Sequence, residues 1–151
     1  MTTPDAPAPA PAAKRGSAVS RASLLAYLLL IIYASWYPFS GWRGSGLSPF
    51  IFLNTTMPQY WTGFDVVVNI IGYIPLGMLF ALAVYPRIHG IWAILLAGIL
   101  SMLVSGTVEA VQTYLPSRVP SNLDFFTNSA GGVVGAVIGA FGARSYLDES
   151  R

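Results

Sequence analysis

Four apolar runs, about Leu24 to Phe39, Phe64 to Tyr85, Ile91 to Tyr114 and Leu123 to Ala143, take up more than half of the 151-residue chain. A helix of about 20 apolar residues crosses the hydrocarbon of a bilayer, and there every backbone N–H and C=O must be satisfied within the protein. The runs therefore predict an all-α polytopic membrane protein, with four transmembrane helices in a compact bundle. Only 9% of the residues are charged and the mean hydropathy is +0.61, whereas an ordinary soluble domain is about 25% charged. Spans of this length consume most of the chain and leave no room for an extramembrane catalytic domain. The first run is the shortest, and a basic segment ahead of an apolar stretch also fits a cleaved signal peptide. Its bulky Ser35-Trp36-Tyr37 exit favours a retained span.

Residues 1–20, rich in Pro and Ala, cannot bury a core and are expected as a disordered cytoplasmic tail, with the transmembrane domain at 21–146. Lys14, Arg15 and Arg21 precede the first span, Arg87 lies between the second and third, and Arg144 and Arg151 follow the fourth. Basic residues gather on the cytoplasmic side, so both termini are expected there. The outer loops carry one arginine each, Arg43 and Arg118. The first of them holds Trp42, Phe50, Phe52, Tyr60 and Trp61, rings suited to lying at the headgroup layer as anchors. There is no cysteine, and the single histidine, His89, lies in a short loop. No metal site or cofactor is expected from them. The net charge of +2 comes from scattered residues at span ends, not from a basic patch, so nucleic acid is not an expected partner.

Two of the runs open on one pattern: Thr62, Asp65, Asn69, Gly72 and then Ser121, Asp124, Asn128, Gly131, with identical spacing. The recurrence suggests a two-hairpin pseudo-repeat. Both copies begin at the outer face, where the third span ends with Glu109 and Gln112. At the helical rise Glu109 lies about 7 to 8 Å below Tyr114. Asp65, Glu109 and Asp124 thus share a layer with Asn69, Gln112 and Asn128, and Arg118 lies in the loop beside them.

Residues four apart stack on one side of a helix. Ala93, Ala97, Ser101 and Ser105 form a small-residue row that ends in Glu109, and Asp124 and Asn128 lead to Gly131, Gly135 and Gly139. Small faces pack inward, which carries the polar groups inward with them. Pro75 frees the carbonyl near Ile71 and is expected to bend the second span. Both Thr62-x-x-Asp65 and Ser121-x-x-Asp124 fit a capping box, which accounts for the aspartates but not for Asn69 or Asn128. Glu109, near a helix end where the dipole disfavours an anion, is explained either by a bridge to Arg118 that pins two helices or by a functional polar site.

The stretches Asp65-Val-Val-Val-Asn69-Ile-Ile-Gly72-Tyr-Ile-Pro75-Leu-Gly77, Glu109-Ala-Val-Gln112, and Arg118 ahead of Asp124-Phe-Phe-Thr-Asn128-Ser-Ala-Gly131-Gly132 resemble the VanZ-like family, over about residues 64 to 140. The resemblance implies a small multi-pass protein of the bacterial cytoplasmic membrane, in a family named after a teicoplanin-resistance factor, with these acids, amides and arginine as signature positions. It assigns no catalytic role.

Three functions compete. A binding module would use Asp65, Asn69, Glu109, Gln112, Arg118, Asp124 and Asn128 to hold a lipid headgroup, a lipid-linked envelope precursor or a lipoglycopeptide antibiotic. The three acids favour a ligand offering hydroxyls or an amine. An enzyme acting on a lipid-linked substrate would use Glu109 or an aspartate as general acid or base, and a divalent cation could sit among the carboxylates. An accessory subunit would pack its glycine ladders on another membrane protein or a second copy. A proton carrier fits less well, because every acid lies at one end.

Overall fold

The computed structural model describes residues 12–44 and 46–148. Four helices carry the fold: α1 (Ala12–Trp36), α2 (Gly63–Val84), α3 (Ile91–Gln112) and α4 (Asn122–Asp148), with one short 3-10 turn at Ile51–Asn54. Among the described residues there is no strand. Ala18–Trp36, Gly63–Val84, Ile91–Gln112 and Asn122–Ala143 are each long and apolar enough to cross a membrane. The expected four-helix membrane bundle is therefore the observed architecture. The boundaries differ from expectation at two places. Helix α1 begins at Ala12, so residues 12–20 are helical where a disordered tail was expected, in keeping with the strong helix preference of Ala, Lys and Arg. Residues 1–11 of that tail lie outside the described residues. At its other end α1 stops at Trp36 although the apolar run continues to Phe39, because Pro38 lacks an N–H and pushes Tyr37 out of the helical region.

Helices α2 and α4, which carry the repeated pattern, form the closest pair. Gly131, Gly135 and Gly139 of α4 sit against the carbonyls of Ile70, Ile74 and Met78, and a methyl group at any of the three would overlap α2 backbone. Gly77 of α2 meets Gly132 and Ala136 in the same way. The glycine ladder is thus spent inside the chain, and is not the free face for another membrane protein that the accessory-subunit expectation required. Helix α3 packs its small row inward as expected: Ala93, Ala97, Ser101, Ser105 and Glu109 are all buried. A Cβ at Gly132 would strike Ser101, so the α3 row meets α4 at close range too. Gly90, at φ +61°, starts α3 from the left-handed region that a side chain disfavours.

Helix α1 lies at the periphery, and Ile31 is its one buried side chain among those described. Polar contacts attach it: Arg21 Nε donates to Ala83 O (3.3 Å) and Tyr27 Oη to Gly72 O (2.8 Å). The loop between α1 and α2, expected as a set of interfacial anchors, packs onto the bundle. Phe52 is fully buried and stacks near Phe125 of α4 with ring centroids 5.7 Å apart. Thr113 Oγ1 donates to Pro49 O (3.4 Å) and Asn122 Nδ2 to Thr55 O (2.8 Å), so the loop folds across the end of the bundle.

Candidate functional site

A pocket of about 460 Å³ opens at the end where α2 and α4 begin. Asp65 and Asn69 line it from α2, Asp124 from α4, and Thr55, Tyr60 and Trp61 from the folded-over loop. A volume of this size suits a small ligand or the head of a larger one. Among the described residues no basic side chain lines it.

The two copies of the pattern do different work here. In the first, Thr62 Oγ1 accepts from Asp65 N (3.2 Å), while Asp65 Oδ2 accepts from Thr62 N and from Thr62 Oγ1, both at 2.8 Å. That is a complete capping box, and Asp65 stays exposed at the rim. In the second, Ser121 Oγ accepts from Asp124 N (3.3 Å), but the Ser121 N–H goes to Glu109 Oε2 at 2.7 Å. A glutamate on α3 has taken over the half of the box that Asp124 would have filled. Asp124 is left with its carboxylate against the side-chain amide of Asn69, half-buried, and shares the pocket lining with Asp65.

Glu109 is the price of that arrangement and explains itself by it. It is 2% exposed and does not line the pocket. The bridge to Arg118, one of the two explanations that the sequence left open, does not form. Arg118 Nη2 donates instead to Ala34 O (2.8 Å) and Tyr37 O (3.1 Å), and Gln112 Nε2 donates to Ser35 O (3.2 Å). Both side chains thereby satisfy carbonyls at the C-terminus of α1, which have no partner within the helix. Among the described residues no three acidic or histidine side chains converge to hold a metal ion, since Glu109 is turned to the α4 cap.

The sequence profile of the VanZ/LLP1 family matches residues 24–142. The chain belongs to the VanZ/LLP1 family. No curated protein and no solved structure matches it. The matched span of this VanZ/LLP1 protein includes α1 from Leu24 onward, the folded-over loop and all seven residues expected in one site.

Those seven share the polar end of the bundle yet divide by task. Asp65, Asn69 and Asp124 line the pocket; Glu109 caps α4; Gln112 and Arg118 cap α1. Asn128 is buried in a neighbouring cleft on the α1 side. Thr55 and Thr56 also line the pocket, and no sequence signal marked them. Tyr60 and Trp61 were expected as interfacial anchors, and both stand on the pocket wall while remaining largely exposed.

Proposed function

We propose that this VanZ/LLP1 protein binds the polar head of a membrane amphiphile in the pocket of Asp65, Asn69 and Asp124. The observation that carries the reading is the Glu109 to Ser121 hydrogen bond, which frees the Asp124 carboxylate from capping and leaves it available beside Asn69. A half-buried carboxylate with no backbone cap is costly to keep at the end of a membrane span, and a ligand that donates to it offsets that cost. Two carboxylates without a basic side chain repel phosphate and attract hydroxyls or an amine. The ligand class is therefore a sugar- or amine-bearing head: a lipid headgroup, a lipid-linked envelope precursor or a glycosylated lipopeptide such as teicoplanin. The charge distribution of the loops supports an outward-facing pocket with both termini inside, and the family resemblance supports a bacterial cytoplasmic membrane.

Purified protein in lipid nanodiscs tests this by native mass spectrometry with three probes: a glucosyl diacylglycerol, phosphatidylethanolamine and phosphatidic acid. The first two are expected to be retained over phosphatidic acid, and Asp124→Asn to weaken their retention by about tenfold, the scale of one hydrogen bond to a charged group. Equal retention of phosphatidic acid, or indifference to Asp124→Asn, overturns the reading. In cells, lowered teicoplanin susceptibility on expression, abolished by Asp124→Asn, would extend it to that ligand.

A further inference from the structure

A second cavity, of about 350 Å³, lies between α1 and the α2–α4 pair. It shares Val68 and Asn69 with the polar pocket but faces the side of the bundle, where Leu30, Ala34 and Val68 are exposed within the spans. Its mouth therefore opens to hydrocarbon. Among the described residues no charged side chain lines it.

Two independent observations point to an occupant. Asn128 lines the cleft, is 5% exposed, and has an Oδ1 with no hydrogen-bond partner. An amide can present its carbonyl or its NH2 by a half-turn of its last torsion, so it matches a group that both donates and accepts. The other observation is Gly72, which holds the same place in its copy of the pattern as Gly131 does in the other. Gly131 is packed against the Ile70 carbonyl, whereas a Cβ at Gly72 would meet nothing within 4 Å. Helix packing does not require glycine there, and its missing side chain leaves the cleft open beneath Tyr27, whose hydroxyl is already given to Gly72 O.

We propose that this cleft is a lipid-side binding site for the hydroxyl of a neutral long-chain lipid, received by the amide of Asn128. A charged head finds no counter-charge in the cleft, and a pure hydrocarbon leaves the Asn128 carbonyl unpaired. A neutral aliphatic alcohol satisfies both conditions. The cleft adjoins the proposed headgroup pocket through Val68 and Asn69, but Asn128 and Gly72 line the cleft and not that pocket.

The test uses the full-length protein in phosphatidylcholine vesicles with hexadecanol carrying a photoreactive diazirine, and the methyl ether of the same probe. The alcohol is expected to label the α1 and α2 segments around Leu30 and Gly72 about fivefold more than the ether, the scale of one hydrogen bond. Gly72→Leu, whose Cβ meets nothing within 4 Å and whose longer side chain takes up space in the cleft, is expected to abolish that excess, and Asn128→Leu to lower labelling by the alcohol to that by the ether. Equal labelling by alcohol and ether, labelling spread evenly over all four helices, or an excess that survives Gly72→Leu overturns the proposal. If Asn128→Leu fails to fold, Gly72→Leu decides alone. Asp124→Asn is expected to leave this labelling unchanged, so loss of headgroup binding and loss of the cleft are separately visible.

Discussion

At the scale of single residues, the exchange at the start of α4 governs the site. Glu109 and Asp124 are both acids near one helix N-terminus, but only Glu109 holds the Ser121 N–H. Replacing it by leucine strands a buried amide, and that costs about 1–3 kcal/mol. Glu109→Leu is accordingly expected to lower the thermal unfolding midpoint in detergent, and to disturb the pocket only through the displaced cap. A protein with unaltered thermal stability after this change would show that the cap is dispensable. The sequence marked Glu109 correctly as a buried polar residue of the inward face, from the four-residue spacing of Ala93, Ala97, Ser101 and Ser105. It could not say what Glu109 touches, because the partner is a main-chain group twelve residues away, indistinguishable in the sequence from any other peptide bond.

At the scale of helices, glycine has two opposite roles within one repeated pattern. Where α4 meets α2 there is no room for a methyl group, and at Gly72 there is room to spare. Gly135→Ala is expected to force the pair apart at a cost of about 1–3 kcal/mol. Gly72→Ala, which removes only backbone freedom, is expected to raise helix stability by up to about 1 kcal/mol. Thermal unfolding of the two variants in one detergent compares them directly, and equal destabilisation would refute the asymmetry. The spans, their number and the inward glycine face of α4 were legible from hydropathy and period. The difference between Gly72 and Gly131 was not, because it depends on which helix lies opposite: α2 backbone faces Gly131, whereas the loosely packed α1 borders the cleft at Gly72.

At the scale of the whole molecule, α1 is joined to a tightly packed core by Ile31, Leu24 and Leu28 and by side chains that reach main-chain carbonyls at Ala83, Gly72, Ser35, Ala34 and Tyr37. Arg118→Ala withdraws a cation from the C-terminus of α1, an effect of about 0.3–1 kcal/mol. It is expected to speed hydrogen exchange at the Tyr37 and Phe39 amides by about two- to fivefold while leaving α4 unchanged. Uniformly faster exchange would show that Arg118 supports the whole bundle. The pairing of Glu109 with Arg118 looked natural in the sequence because opposite charges invite it, but each side chain found backbone instead. Contacts of this kind constrain only one of the two positions they join. At residue 121 any amino acid except proline supplies the N–H that Glu109 needs, and at residues 34, 35 and 37 every amino acid supplies the carbonyl. Correlated substitution between aligned positions, which reveals contacts between paired side chains, is therefore blind to the bonds that Glu109, Gln112 and Arg118 make at the polar end of this protein.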